Sequence, residues 1–541
     1  MKRSLLIACC VLACVATGAG ASSIDGESIG VVSAEMVIAP SQSDFAAEAA
    51  QRRSLYRELV AGAAKHFATD LGALSPAEAE QLSGVNQPQS RRLLVGIDRP
   101  VDAEIDLALG DRMQVMGGVY TKTDGTMVWT ATLRSQGATA VRAHLTEIAL
   151  PKGAALYVYG TRGQAFGPYT GAGAVGAGEL WTNSVLGDAL TLQLEITGPV
   201  SFETLLDTYF VIDSVGHMGD RFSVTRWEAD HAVKSFCTDG DGPINEPCVY
   251  NAACSSVPSA IAPAAQAIGE MLYASGSSYY ICSGGLVADT AGTMTPYFLT
   301  ANHCISTSTE AASLETYWDF TAPCGTTACD YAWDSGRAAP GATIVSTNSS
   351  SDYTLLQLAS VPSGRTYLGW TSAAIAYSNG AGLYRLSHPS GAPQAYSEHS
   401  VSTTAGTCSS WPRGSWIYSK DTYGATEGGS SGSPVLNASG EIVGQLSGGC
   451  GTNVNEVCDT VNNATVDGAF SAYFSSVAPW LNPGSCVPST EVCDGVDNDC
   501  DGLIDEDDVC GSPSCGERGD PCTTGADCCS NRCHPRKGYC R

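Results

Sequence analysis

The sequence predicts a mainly β chain: an N-terminal β-sandwich, then one β-barrel domain or a pair of barrels, then two small disulfide-rich modules. Three observations carry this. From about Val101 onward, short segments of alternating apolar and polar residues are separated by turn residues. Apart from three cysteines in the first fourteen residues, cysteine is absent up to residue 236 and frequent after it, which divides a cysteine-free region from a stapled one. After Trp480-Leu481-Asn482-Pro483 the chain becomes acidic and cysteine-dense. At 541 residues it is also too long for one compact core.

Composition narrows the class. The chain is 43% apolar and 15% charged, which fits globular domains. A net charge of -27 excludes a nucleic-acid partner, since phosphate binding needs clustered Lys and Arg. The first residues read as an export signal: Lys2 and Arg3, an apolar run from Leu5 to Ala16, then Ala19-Gly20-Ala21. The run is too short to cross a bilayer, and no later stretch is long enough, so no transmembrane segment is expected. Of 23 cysteines, Cys9, Cys10 and Cys14 lie in this leader, which leaves an even number. Export with many cysteines implies disulfides and an extracellular, secreted protein.

Element by element, residues 44–70 carry apolar residues at helical spacing, with Ser43 or Asp44 as the cap. MVWTATLRS, RAHLTEIAL, ALYVYG and LTLQLEI then read as sandwich strands, with turns at Asp124-Gly125, Lys152-Gly153 and Gly187-Asp188. A polar segment with Arg221, Arg226 and Lys234 follows, a natural place for proteolytic cleavage between two modules. After Cys248 come SYYICSGGLV, PYFLTA, LETYWDF, DYTLLQL and EIVGQLSGG, short strands over more than two hundred residues, as in barrels. Asn437-Ala438-Ser439-Gly440 makes a hairpin loop.

Three segments carry chemistry: YFLTANHC with His303, SSSDYTLLQL with Asp352, and TEGGSSGSPV with Ser431. A serine hydroxyl needs a base to take its proton. Histidine serves near neutral pH, and a carboxylate fixes its tautomer and stabilises the imidazolium. Charge developing on a substrate oxygen needs backbone N–H donors, which a Gly-rich turn provides. Each segment alone has a plainer reading, as a flexible turn, a core histidine or a turn-capping aspartate. The three in this order and in strand contexts point to nucleophilic catalysis. His388, in SHPSG, falls between Asp352 and Ser431 and reads as structural.

Thr300-Ala301-Asn302-His303-Cys304 and Gly429-Ser430-Ser431-Gly432-Ser433-Pro434 resemble the histidine and nucleophile motifs of the chymotrypsin-like serine proteases. The runs around His303, Asp352 and Ser431, and Cys248 and Cys254 spaced C-x5-C, are similar to the bacterial lysyl endopeptidase branch over about residues 245–482. The preceding β-rich region, with ALYVYG, GPYT and GELWT, resembles the prodomain of those enzymes. The resemblance implies a double-barrel, trypsin-like protease domain. It implies Ser431 as nucleophile, His303 as general base and then acid, Asp352 as orienting carboxylate, and the N–H groups of Gly429 and Ser431 as oxyanion hole. It also implies the pairs Cys282–Cys304, Cys254–Cys324, and Cys248 with Cys450 or Cys458, with no assignment for Cys237, Cys329 or Cys408.

The branch takes its lysine preference from an aspartate three residues before a glycine near the C-terminus. Anchoring on Gly468-Ala469-Phe470 puts Thr465 there, with Asp467 two residues away. Ser447 stands where the branch has a histidine, and position 425 is Ala, without the trypsin-type carboxylate. The substrate pocket is accordingly expected around Ala425, Ser447, Thr465 and Asp467, and the preference at P1 (the residue before the cut) stays open.

In the tail, Asp497, Asp499, Asp501, Asp505 and Asp508 follow a D-x-D-x-D-G register around Gly502. Carboxylates in this register suit a structural Ca2+; the plainer reading is an acidic linker stapled by cystines. The last six cysteines resemble a knottin scaffold, implying Cys515–Cys529, Cys522–Cys533 and Cys528–Cys540. The expected organisation is a signal peptide (1–21), a partly helical pro-region (22–100), a β-sandwich prodomain (101–215), an activation linker (216–244) and a protease domain (245–482). An acidic motif (484–510) and a knottin-like module (515–540) follow. The expected activity is cofactor-free endopeptidase hydrolysis of protein or peptide substrates by a zymogen, with no indication of oligomeric state. The rival is an extracellular binding or adhesion protein built on a degenerate protease scaffold.

Overall fold

The computed structural model describes residues 31–485 apart from 40–44, 64–67, 84–91, 109–115, 177, 199, 220–221, 223–237, 240–241, 244, 326–335, 339 and 409, together with Val492. The leader, the acidic motif, the knottin cysteines, Cys237 and Cys329 lie outside the described residues. No helix among them is long and apolar enough to cross a membrane.

The first helix, α1 (Phe45–Ala61), stops at Gly62 rather than running to residue 70. The sandwich is built from β1 (Leu93–Asp106), β2 (Met127–Arg134), β3 (Ala140–Ala149), β4 (Ala154–Gly160), β5 (Ala189–Ile196) and β6 (Tyr209–Met218). One sheet runs β2–β5–β4, and the other runs β3–β6–β1. Their facing sides bury one core, including Trp129, Leu156, Leu192, Leu194, Phe210 and Ile212. Strand β1 begins before the expected boundary at residue 100 and carries Pro100 in its middle. Proline lacks the N–H a two-sided strand would need. Pro100 is tolerated because β1 has two neighbours only at Gly96 and Ile97 and pairs with β6 alone beyond that.

The second half forms two barrels. The first uses β7 (Ile268–Ser275), β8 (Ser278–Leu286), β9 (Tyr297–Thr300), β10 (Glu315–Trp318), β11 (Ala342–Asn348) and β12 (Tyr353–Leu358), paired in the order β10–β7–β8–β9–β12–β11. The second uses β13 (Gly382–Ser387), β14 (Ala395–Val401), β15 (Trp416–Tyr423), β16 (Pro434–Leu436), β17 (Ile442–Gly451) and β18 (Asn463–Ala469). Its pairings, β13–β14–β15–β18–β17–β16 and back to β13, close a six-stranded barrel. Helix α2 (Phe470–Leu481) then buries Phe470, Tyr473, Phe474 and Val477 against Trp370 and its neighbours.

Sandwich and first barrel share a sheet. Strand β1 pairs with β8 over residues 93–97 and 278–281, so the barrel gains a strand from the N-terminal region. Residues 33–38 also pair with 366–371. The seam beside β1 holds a buried charge network. Glu315 and Arg337, both fully buried, form an ion pair. From the sandwich, Asn183 Nδ2 (2.8 Å), Ser184 N–H (3.0 Å) and Ser184 Oγ (2.8 Å) donate to Glu315. Arg337 donates to the Ser184 carbonyl at 2.9 Å, and Arg142 of the sandwich donates to the Ser313 carbonyl at 2.9 Å. Burial pushes the Glu315 carboxyl up, but Arg337, Arg142 and these hydrogen bonds hold it below its usual value.

Removing one member of a buried pair leaves the other charge uncompensated. Arg337→Met should therefore destabilise the full chain by about 3–5 kcal/mol, read by urea unfolding in a Ser431→Ala background. An unchanged midpoint would mean the network contributes nothing to stability.

Candidate active site

The site is assembled from the ends of strands on both barrels. His303 follows β9, Asp352 precedes β12, and Ser431 lies in the turn between β15 and β16. The Cys282–Cys304 disulfide ties the histidine loop to β8. Asp352, only 3% exposed, sits at a left-handed φ of 53°. Its Oδ1 accepts the His303 backbone N–H at 2.8 Å, and its Oδ2 is 2.6 Å from His303 Nδ1. Ser447 Oγ, from β17 of the second barrel, also donates to Oδ2. His303 Nδ1 is thereby engaged, and Nε2 has no hydrogen-bond partner among the described residues. Burial raises the Asp352 carboxyl, while the His303 charge and the hydrogen bonds from His303 and Ser447 outweigh it. The net result is a pKa below the ordinary aspartate value.

The nucleophile turn packs directly onto the histidine segment. The Ser431 carbonyl accepts the Ser283 N–H at 2.8 Å, and Ser283 Oγ donates to the Gly429 carbonyl at 2.8 Å. Gly432 allows this approach: a Cβ there would lie 2.1 Å from Thr300 Oγ1 and 2.8 Å from the Ala301 N, and its φ is +82°. The turn's internal bonds use the N–H groups of Ser430, to the Glu427 carbonyl, and of Ser433, to the Ser430 carbonyl. Gly429 adopts φ +96°, and a Cβ there would meet the His388 carbonyl at 2.8 Å. Gly429 and Ser431, the expected oxyanion-hole residues, stand on either side of Ser430 in this turn.

His388 is fully buried, bonds the Ala392 carbonyl through Nδ1 at 3.0 Å and stacks on Phe320. Burial pushes it down to about 4, so it is a neutral support of the turn. Cys282, His303 and Cys304 cluster closely, but both sulfurs belong to the disulfide, which leaves one imidazole as donor.

Beside Ser431 lies a cavity of about 380 Å3, whose lining includes Asp421, Glu427, Ser447, Asp459 and Thr465. The expected pocket residues are placed differently from one another. Thr465 lines the cavity. Ser447 lines it too, but commits its hydroxyl to Asp352. Ala425 lies away from it, packed with Val249 and Ala395, because its strand end faces the segment after the linker. Asp467 is not a pocket group either: fully buried, it pairs with Arg385 at 2.5 Å inside the second barrel. Thr465 and Asp467, two residues apart, share a face of their strand, but Asp467 lies deeper, committed to Arg385, and does not reach the cavity.

Disulfides join Cys248 to Cys458, Cys254 to Cys324, and Cys408 to Cys450. Cys450 thus takes Cys408, which the sequence left without a partner. The sequence reading also missed Asp421, whose Oδ1 is 2.7 Å from both His399 Nδ1 and Thr465 Oγ1. Its signal was present: Ile417, Ser419 and Asp421 alternate along one face of a strand that ends about eight residues before Ser431.

Because the folded Asp352 carboxyl has a lowered pKa, it contributes stability fully above its unfolded value and loses that contribution as pH falls through the folded value. The stability difference between wild type and Asp352→Asn should be largest above about pH 5 and shrink toward about pH 2. Urea unfolding at stepped pH measures it, and a difference that grows on acidification would contradict the assignment.

Residues 245–465 match the family model described as lysyl endopeptidase, C-terminal domain, and residues 70–217 match the lysyl endopeptidase N-terminal domain. A lysyl endopeptidase of Pseudomonas aeruginosa is 28% identical over 327 residues, covering 56% of this chain and 63% of that protein. The chain thus spans less than two thirds of that relative's length. Among solved structures, the HtrA-type protease AlgW with tripeptide is 15% identical at a TM-score of 0.29, covering 42% of this chain and 63% of that one. The active form of the Rv3671c protease from M. tuberculosis is 14% identical at 0.29, covering 43% and 90%. At such scores the fold rests on the strand pairings above. Over these two stretches the chain is similar to the lysyl endopeptidases.

Proposed function

We propose that this chain is a secreted serine endopeptidase, made as a zymogen, that hydrolyses protein peptide bonds through a Ser431 acyl-enzyme. The observation that carries the reading is the Asp352–His303 pair, hydrogen-bonded and buried, beside a Gly-rich turn that presents Ser431. Asp352 holds Nδ1 of His303 in its protonated tautomer, so that Nε2 is the nitrogen able to take a proton. His303 then takes the Ser431 hydroxyl proton as Oγ attacks the scissile carbonyl. It returns that proton to the leaving amine, which departs and leaves an acyl ester on Oγ. Water, deprotonated by the same imidazole, releases the acyl group. The N–H groups of Gly429 and Ser431 stabilise the oxyanion at both stages.

The zymogen reading is supported by the seating of the N-terminal region on the first barrel through β1, and by the matching N-terminal family domain. Release of the mature enzyme then requires cleavage between the sandwich and Cys248. The acidic motif and the knottin-like module carry no step. A structural Ca2+ in the former remains a proposal resting on its carboxylate spacing alone.

The secreted protein and its Ser431→Ala counterpart should be incubated with a denatured protein mixture, and new peptide ends identified by mass spectrometry. New ends are expected only with the unsubstituted protein. Asp352→Asn should lower the cleavage rate by about 10^4-fold without loss of fold. Absence of new ends from protein whose N-terminal region has been removed would replace the endopeptidase with a binding scaffold.

A further inference from the structure

Residues 32–38 precede both stretches that match the family models, yet they are built into the protease half. Ser33 and Ala34 pair antiparallel with Thr371 and Trp370, and Val37 and Ile38 pair with Tyr367 and Thr366. Ser372 extends the pairing: its N–H donates to the Val32 carbonyl at 2.8 Å, and its Oγ accepts the Val32 N–H at 2.8 Å. On its other side Trp370 pairs with Ile442 of β17, so the segment is an outer strand of the second barrel's sheet. Among the described residues, none of its strand pairings joins it to the sandwich.

Its side chains alternate. Val32, Ala34 and Met36 pack on a core shared by both barrels, which holds Leu355 of β12 and Ile442 of β17, while Ser33 and Glu35 face out. Val37 packs instead on the first-barrel cluster of Leu356, Leu358 and Tyr367. The segment thus grips both barrels where the chain crosses from β12 to β13. The protease is fitted to it at Gly369. A Cβ there would lie 2.5 Å from the Ala34 carbonyl oxygen, 2.7 Å from the Met36 N and 2.9 Å from the Glu35 carbonyl carbon, and these nearest atoms all belong to the segment. Gly369 does not adopt a left-handed φ, so this glycine answers to the close approach of another backbone rather than to its own conformation.

We propose that the strip Thr366–Ser372 is a strand-addition site of the protease, and that its occupant is this chain's own segment Val32–Ile38, which stays on the enzyme as a separate peptide after the sandwich has been cut away. The proposal rests on the zymogen reading. Removing the sandwich takes a cut on each side of it, one between Ile38 and β1 and one before Cys248. Each cut is a hydrolysis that consumes one water and leaves a new carboxylate and a new amine. The segment's pairings survive both cuts because they run to the protease. In strand addition, main-chain hydrogen bonds supply affinity and the alternate side chains supply selectivity, here a small residue at Ala34 and a flexible apolar one at Met36. Occupancy holds together the two barrels, one carrying His303 and Asp352 and the other Ser431 and Ser447.

The test uses the secreted, processed protein, freed of released fragments by gel filtration under native conditions, then denatured and analysed by mass spectrometry. A peptide containing Val32–Ile38 should accompany it at about one per Ser431 titrated by fluorophosphonate. Ala34→Asp changes no residue of the protease and puts a carboxylate into the shared core, so it should cut that ratio to below about a tenth. Gly369→Ala should do the same from the protease side, and it carries the comparison if Ala34→Asp yields no titratable Ser431. The inhibited wild-type enzyme should unfold about 3 °C or more above the peptide-free variant, and a synthetic peptide of residues 31–39 added to peptide-free enzyme with an unchanged strip should restore the difference. Processed enzyme with titratable Ser431 and less than about half a peptide per site overturns the proposal and leaves the zymogen standing. So does a segment retained only together with the sandwich, or retained equally in both variants. A chain that stays whole while Ser431 is active removes the zymogen reading and the proposal with it.

Discussion

The carboxylate of Asp352 is where the two barrels meet, and the geometry of the site depends on it. Its side chain takes two hydrogen bonds from His303 on the first barrel and one from Ser447 on the second. Its own carbonyl accepts Asn302 N–H at 3.0 Å and Gln445 Nε2 at 3.0 Å, again one donor from each barrel. A residue so constrained holds a left-handed backbone that an aspartate in solution rarely visits. Ser431 needs no link of its own to Asp352. It is positioned by Gly432 lying against Thr300 and by Ser283, both close in sequence or by disulfide to the histidine loop.

The same first barrel also holds the N-terminal region. Strand β1 continues the sheet past β8, and the fully buried Glu315–Arg337 pair draws three of its hydrogen bonds from Asn183 and Ser184 across the seam. Charges buried in this way gain little net stability against apolar packing, but they penalise any arrangement that leaves them unpaired. The seam thus favours one docking register of sandwich on barrel. It packs against Tyr279 and Ile281 of β8, and from its edge Arg92 donates to the His303 carbonyl.

Much of this was legible in the sequence, and the exceptions have physical causes. Strands with clean alternation, such as Met127–Arg134, Ala189–Ile196 and Tyr353–Leu358, sit within a residue or two of where their patterns place them. The two strands at the join, Leu93–Asp106 and Tyr209–Met218, were not anticipated. Pro100 looks like a break, and strands buried on both faces lack alternation. His303 and Asp352 are brought together as their motifs imply, because a short loop beside a strand end fixes direction locally. The cavity was less legible. Whether Asp467 or Asp421 lines the cavity is set by how deep each sits in the barrel and by Arg385 and His399, which lie tens of residues away in sequence. Ala425 points into a small apolar cluster because the Cys248–Cys458 disulfide brings Val249 against it.

The central claim is that His303, held by Asp352, makes the Ser431 hydroxyl a nucleophile. Treating the processed protein with a fluorophosphonate and locating the adduct by tandem mass spectrometry tests it directly. The account predicts one stoichiometric adduct on Ser431, formed at a rate that collapses in His303→Ala. An adduct on another residue, or labelling of Ser431 at an unchanged rate without His303, would contradict it.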